Sequence, residues 1–134
     1  MKLAAIDIGS NAARLLITEV IQQPFQAPVF NKLNLIRVPL RLGFDVFENG
    51  LISPGKTQML IQTLKAYRHL INAYEVDAIK ACATSAMRDA SNASSILDIV
   101  QKETGLFLEV ISGDMEANLV YENHVAENMD KDHS

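Results

Sequence analysis

Apolar and polar residues along the first forty positions follow the pattern of β-strands. Residues 2–8 are almost continuously apolar, and residues 12–20 are rich in Leu, Ile, Thr and Val, so both predict strands with a buried face. A third run, at about 30–41, alternates apolar residues with Lys, Asn and Arg, and Pro39 marks its end or an edge position. Three strands joined by short links predict an antiparallel meander.

The pattern changes to a helical period after residue 53. The segment 43–53 contains the turn pair Asn49-Gly50 and predicts a loop. Ser53 is a typical N-cap, and Pro54 suits the first position of a helix. The apolar residues that follow are spaced as one face of a core helix, at Leu60, Leu64, Tyr67, Ile71 and Tyr74.

Strand and helix patterns alternate in the rest of the chain. They predict a strand at 76–84, a helix within 90–105, a strand at 106–112 and a last helix at 113–129. Such alternation indicates parallel strands with right-handed crossovers. The predicted order is βββαβαβα, an α/β fold with a mixed five-stranded sheet. This is the order of the ribonuclease-H-like half-domain found in the actin-like ATPase superfamily.

Composition limits the class of protein. The chain has 134 residues, of which 49% are hydrophobic and 21% charged, as in soluble globular domains. A formal net charge of −4 argues against nucleic acid or an anionic membrane as a non-specific partner. No apolar run approaches the roughly 18 residues of a membrane helix, and Asp7 interrupts the N-terminal run. A single cysteine, Cys82, indicates a reducing compartment, so we expect a cytoplasmic protein.

A first polar cluster, Asp7-Ile8-Gly9-Ser10-Asn11, separates the first two predicted strands. Gly9 permits a positive φ, which would let successive amides converge on an anion, and Ser10 and Asn11 add side-chain donors. Asp7 could hold a divalent cation through water. The alternative is a polar hairpin turn with no ligand.

A second cluster follows the strand that ends near residue 83. Thr84 and Ser85 supply hydroxyls, and Arg88 has a planar guanidinium that suits phosphate. The alternative is a surface ion pair between Arg88 and Asp89, with Asn92 or Ser91 acting only as a helix N-cap.

A third cluster, at 111–117, places Gly113, Asp114 and Glu116 at the start of the last predicted helix. A carboxylate there could orient or deprotonate water beside a phosphate. Acids in a first helical turn also simply complement the helix dipole. Together the three clusters would bring hydroxyls, an arginine and a carboxylate to one sheet edge, which is what phosphoryl transfer to water requires.

Three segments, AAIDIGSNAARLLI, ATSAMRDASN and VISGDMEANLVY, resemble in this order the exopolyphosphatase and guanosine pentaphosphate phosphohydrolase (Ppx/GppA) family. The resemblance implies phosphate binding by Gly9, Ser10, Asn11 and Arg14, and by the second segment through Thr84, Ser85 and Arg88. It also implies that Glu116 activates water and that Asp7 serves a Mg²⁺ or Mn²⁺ ion.

The same resemblance implies hydrolysis of a terminal phosphoanhydride, in inorganic polyphosphate or guanosine pentaphosphate. Residues 1–126 would be an N-terminal lobe, and 127–134 a polar tail leading to a second lobe that this chain lacks. The active cleft would lie between the two lobes. Pairing of two copies through the uncovered face, as a homodimer, is left open.

Two other functions stay open at this point. An actin-like sugar kinase or ATPase shares the DxG hairpin, although the ATSAMRDASN segment favours the phosphatase. A non-catalytic module that binds polyphosphate or a guanosine alarmone is also open, because Ala12, Met115 and Asn118 differ from residues common in the family. Hydrolysis by the full-length protein, with and without Mg²⁺, would separate these functions.

Overall fold

The structure, a computed structural model, describes residues 1–111. Within this range the strands are β1 (Lys2–Ile8), β2 (Ala13–Gln23), β3 (Gln26–Val38), β4 (Ala78–Ala83) and β5 (Glu109–Val110). The helices are α1 (Leu42–Asn49), α2 (Pro54–Ala73), α3 (Ser85–Asp89) and α4 (Ala93–Thr104). None of these helices is both long and apolar enough to cross a membrane.

The strands form one sheet in the order β3-β2-β1-β4-β5. β1, β2 and β3 pair antiparallel, whereas β4 is parallel to β1 and β5 is parallel to β4. The predicted mixed five-stranded sheet is therefore confirmed. The register aligns Ile8, Ala83 and Val110 at the carboxyl ends of the three parallel strands.

The core lies between one face of this sheet and the helices. Alternate residues of β1 are buried (Ala4, Ile6 and Ile8), as the period of a strand requires. The predicted apolar stripe of α2 is confirmed. Leu60, Leu64, Tyr67 and Ile71 are buried, and Tyr74 packs against the hydrophobic core. Ser53 caps the helix by accepting a hydrogen bond from the Lys56 amide at 3.3 Å, also as predicted.

The prediction of a loop at 43–53 was wrong, because most of this segment forms helix α1. Asn49-Gly50 is not a hairpin turn: Gly50 has a φ of 72° and caps the helix by donating to the Val46 carbonyl at 2.8 Å. Phe44 and Phe47 are 68% and 87% exposed, so the apolar residues of this helix do not form the stripe that would have revealed it.

Other boundaries differ in smaller ways. The β2–β3 hairpin extends to a turn at Pro24-Phe25, and two register shifts interrupt it, one of them between Ile17 and Thr18. The short helix α3 was not predicted, and β5 spans two residues rather than seven. The order over the described residues is thus βββααβααβ. The predicted helix at 113–129, Glu116 and the division at residue 126 lie outside the described residues.

Candidate functional site

The first two polar clusters meet at the carboxyl ends of β1 and β4. The Thr84 amide donates to the Ile8 carbonyl at 3.0 Å, so the parallel ladder continues one residue past β4. The Ile111 amide donates to the Ala83 carbonyl at 3.0 Å and brings the end of β5 to the same edge. Loops at this edge of parallel strands are the usual place for a ligand. The third cluster begins where the described residues end.

The first loop, residues 9–12, is closed by a hydrogen bond from the Gly9 amide to the Ala12 carbonyl at 2.9 Å. Gly9 does not have a positive φ, and a Cβ there would lie 3.5 Å from the Ala12 carbonyl oxygen, an ordinary contact. The prediction that a left-handed Gly9 turns its amide toward an anion was therefore wrong, since that amide closes the turn. Among residues 1–111, the amides of Ser10 and Asn11 do not donate to any backbone carbonyl of the loops and turns.

The start of helix α1 is hydrogen-bonded to this loop, a contact that the sequence had not indicated. The Arg41 amide donates to the Asn11 carbonyl and the Gly43 amide donates to the Ser10 carbonyl, both at 2.9 Å. Arg41 has a φ of 56°, in the left-handed region that a non-glycine residue adopts at some energetic cost. The backbone is thus bent so that the start of α1 rests on residues 10 and 11.

The two hydroxyls at the centre of the site contact each other. Ser10 Oγ and Ser85 Oγ are hydrogen-bonded at 2.5 Å, although 75 positions separate them in the sequence. Thr84 differs from its predicted role: it is 1% exposed, and its hydroxyl donates to the Ile8 carbonyl at 3.3 Å. Thr84 therefore tethers β4 to β1 and is not open to a ligand in this structure, whereas Ser85 is partly accessible.

Arg88, a member of the second cluster, is exposed and reaches the residue that follows β5. Its Nη1 donates to the Ile111 carbonyl at 3.2 Å, and its Nε is 3.7 Å from the Asp89 carboxylate. The ion pair that the sequence offered as an alternative is therefore present. Arg88 also holds the chain where the third cluster begins, which keeps the guanidinium at the sheet edge.

Asn92 has a different role from the helix cap considered from the sequence. Its side chain makes no cap hydrogen bond to α4. Instead its Nδ2 donates to the Ile52 carbonyl at 2.8 Å, and its Oδ1 accepts from the Ile52 amide at 3.0 Å. The loop before α4 is thus joined to the segment after α1.

Asp7 and Arg14 lie opposite each other in the β1–β2 register, one residue from the end of β1. They face the side of the sheet opposite Ile6 and Ile8, because side chains alternate along a strand. The same row continues through Cys82. Burial raises the pKa of the Cys82 thiol, and the negative charges of Glu109 and Asp7 act in the same direction against Lys80. A thiol held neutral in this way is a weak nucleophile.

Asp7 is the carboxylate that the sequence predicted for a metal ion. Within residues 1–111, no group of three or more His, Cys, Asp and Glu side chains could hold a metal. Asp7 alone fits Mg²⁺, which commonly uses one or two carboxylates and takes its other ligands from water and phosphate oxygens. It does not fit a zinc site, which needs three or four protein ligands.

An open cleft of about 340 Å³ lies between the first loop, α1 and α3. It is lined by Ser10, Gly43, Val46, Phe47, Ser85, Ala86 and Asp89. The two hydroxyls can donate to phosphate oxygens. The described lining contains a carboxylate and no cation, so positive charge for a polyanion must come from neighbouring arginines or a metal ion.

Comparisons with known proteins agree on one family. The pattern that defines the Ppx/GppA phosphatase family matches residues 20–133. A bifunctional 3-dehydroquinate synthase/phosphatase from Fusobacterium nucleatum is 33% identical over 96% of this chain and 20% of its own length. Exopolyphosphatase 1 from Mycobacterium tuberculosis is 30% identical over 90% of this chain and 34% of its own length.

Solved structures give the same result. The crystal structure of an exopolyphosphatase from Cytophaga hutchinsonii matches with a TM-score of 0.79 at 30% identity. The match covers 89% of this chain and 36% of that one. The chain therefore spans about a third or less of the length of the relatives it matches.

Proposed function

The chain belongs to the Ppx/GppA phosphatase family, and we propose that it is the N-terminal lobe of an exopolyphosphatase, which releases terminal phosphate from inorganic polyphosphate. Its fold is that of the actin-like ATPase superfamily, as the order of elements predicted. The observation that carries the proposal is the meeting of the Ser10 and Ser85 hydroxyls at the carboxyl ends of two parallel strands.

The substrate is proposed from the relatives. Proteins similar to this chain over most of its length are named exopolyphosphatases. Guanosine pentaphosphate contains the same anhydride linkage, so the site would suit its terminal phosphate equally well. Inorganic polyphosphate is preferred because it is the substrate that these names give.

The proposed roles of the described residues rest on their positions and charges, and that of Glu116 rests on the family resemblance. Ser10, Asn11 and Ser85 would donate hydrogen bonds to the terminal phosphate, and Arg14 and Arg88 would balance its charge. Glu116 would act as general base toward water. Asp7 would hold Mg²⁺, or Mn²⁺ in its place, and such an ion would neutralise charge on the phosphate oxygens.

A second lobe completes this proposal. A polyanion needs donors and cations on several sides, and one sheet edge provides them on one side only. Since this chain covers only 34% of the mycobacterial exopolyphosphatase and 36% of the Cytophaga hutchinsonii protein, we propose that the cleft is closed by a following lobe of the same protein. The 134-residue chain alone should bind weakly and hydrolyse almost nothing. A cytoplasmic location is proposed from the unpaired thiol of Cys82.

The test is phosphate release from polyphosphate by the full-length protein, with Mg²⁺ and after its removal by EDTA. Full-length protein should be active only with the metal, and Glu116→Gln should lower its turnover by roughly 10²–10⁴-fold with little change in KM. Glu103→Gln is the control, because Glu103 is an exposed residue of α4 that forms an ion pair with Lys65.

Three results would contradict the proposal. Turnover of Glu116→Gln equal to that of the Glu103→Gln control would remove Glu116 from the reaction. Tight binding of polyphosphate without any release of phosphate would favour the binding module. Release only in the presence of a sugar acceptor would favour the kinase.

A further inference from the structure

Residues 41–52, called the clasp below, connect the two loops of the phosphate site. At its start, the clasp is fixed to the first loop through the amides of Arg41 and Gly43, which donate to carbonyls of that loop at 2.9 Å. This end of the clasp lies directly against Ser10.

The other end of the clasp is fixed to the second cluster. The Ser91 amide donates to the Gly50 carbonyl at 2.9 Å, and the Asn92 side chain exchanges two hydrogen bonds with the Ile52 backbone. Asp45, in the middle, accepts a hydrogen bond from the Ser53 amide at 3.1 Å. The clasp therefore holds both loops in one arrangement.

Gly43 allows the closest contact of the clasp. A Cβ at position 43 would lie 2.9 Å from the Ser10 Cβ and 3.4 Å from both its carbonyl oxygen and its Oγ. Real Cβ atoms essentially never come that near, so any larger residue must displace Ser10 or the helix. Gly43 has no positive φ, so space rather than backbone conformation is the reason for glycine here.

Ser10 is the residue that such a displacement would move, and its hydroxyl reaches Ser85 Oγ across the cleft. Gly43, Ser10 and Ser85 all line that cleft. Each hydroxyl has one proton, so the two can donate to different oxygens of one tetrahedral phosphate once that phosphate replaces their mutual hydrogen bond. Separating the two hydroxyls would remove one of the two hydrogen bonds to the phosphate.

We propose that Gly43 is a positioning residue of the phosphate site, which acts through Ser10 and keeps its hydroxyl beside that of Ser85. The proposal rests on the proposed function, because it takes Ser10 as a contact of the bound phosphate. It assigns a role in the site to a glycine of α1 and, through it, to the clasp.

The first experiment compares Gly43→Ala with Gly55→Ala in the full-length protein. Both glycines are the second residue of a helix, so both variants gain the same helix propensity, but a Cβ at Gly55 meets nothing within 4 Å. Gly43→Ala should raise the KM for polyphosphate about tenfold, the usual effect of losing one hydrogen bond to a charged group. Gly55→Ala should leave KM unchanged. Equal KM values for the two variants would overturn the proposal.

The second experiment asks whether Gly43 acts through Ser10. Ser10→Gly removes the Cβ with which an alanine at position 43 collides, so Gly43→Ala should cost less than about twofold in that background. The same rescue should apply to folding if Gly43→Ala alone is unstable. A loss of kcat/KM, or of folding, that is as large in the Ser10→Gly background would show general damage and refute the positioning role.

A third readout separates this inference from the proposed function. If the full-length protein releases no phosphate from polyphosphate, the proposed function fails. Binding of inorganic tripolyphosphate, measured by calorimetry in the unmodified protein, Gly43→Ala and Gly55→Ala, then decides the role of Gly43. The expected order is tight binding by the unmodified protein and Gly55→Ala, and binding about tenfold weaker by Gly43→Ala. Equal affinities would refute the role.

Discussion

Removing one buried hydroxyl, in the variant Tyr67→Phe, should lower the free energy of unfolding of the 134-residue chain by about 1–3 kcal/mol. Tyr67 lies on α2, is 1% exposed, and donates to the Ala13 carbonyl at 2.9 Å. Phenylalanine keeps the ring and leaves that carbonyl without this donor. Ala13 is the first residue of β2 and directly follows the first loop, residues 9–12, so the Tyr67 hydroxyl attaches the end of that loop to the core.

The same hydroxyl makes a second prediction, on pH. Burial raises the pKa of Tyr67 to about 12 from 10.0. The folded chain keeps Tyr67 neutral between these values, whereas the unfolded chain ionises it. The contribution of Tyr67 is therefore complete below pH 10 and is lost as the pH rises toward 12, by up to about 3 kcal/mol. Tyr67→Phe has no such group, so its stability should fall less steeply over that range.

Urea unfolding of the chain, followed by circular dichroism, measures both effects at pH 7 and at steps from pH 9 to 11.5. Tyr74→Phe is the matched control, because Tyr74 is only half-buried and accepts one hydrogen bond, from Asn34 at 3.3 Å. Tyr74→Phe should lower the free energy of unfolding at pH 7 by less than Tyr67→Phe does. Equal stability of Tyr67→Phe and the unmodified chain at pH 7, together with parallel loss above pH 10, would refute the reasoning.

Two further predictions concern charged groups around the site. Arg88→Lys keeps the charge but loses the planar guanidinium, so in the full-length protein the KM for polyphosphate should rise about tenfold. The melting temperature should stay nearly unchanged. If the kinetics are also unchanged, Arg88 has only its contacts with Asp89 and Ile111. Hydrogen bonds from the Ser53 side chain and amide hold the pKa of Asp45 below its usual value, so this stabilisation is present above about pH 4 and is lost as the pH falls through the lowered pKa. Asp45→Asn should therefore be less stable than the unmodified chain at pH 7, and the difference in urea unfolding should shrink as the pH falls below about 4. A difference that stays constant as the pH falls would contradict the assignment.

The sequence predicted the elements whose residues share one environment along their length. The strand β1 is apolar apart from Lys2 and Asp7, because strands flank it on both sides and one of its faces lies on the core. Helix α2 has an N-cap, a proline and a complete apolar stripe. The sequence did not predict α1, because two exposed aromatic residues of this helix obscure the helical spacing of its apolar residues. The pair Asn49-Gly50 is compatible with a hairpin turn and with a helix end, and only the tertiary structure decides between them.

The candidate site shows the same limit. The sequence identified Ser10 and Ser85 as donors, and the sheet register brings them together. It could not tell that the Thr84 hydroxyl points into the protein, because that depends on where β4 ends. Nor could it tell which glycine matters for which reason: Gly9 has no left-handed backbone, whereas Gly43 is constrained by a neighbour distant in sequence.

The hairpin of β2 and β3 bears on how this chain behaves in concentrated solution. Among the described strands β3 pairs only with β2, so its outer side is an edge that another chain could extend into an aggregate. The shifts in register, one of them beside Thr18, interrupt a flat ribbon, and Pro28 of β3 has no backbone N–H to donate. Lys32 adds a charge at the same strand. We therefore expect this edge to resist strand-by-strand fibril growth even when the lobe is produced on its own.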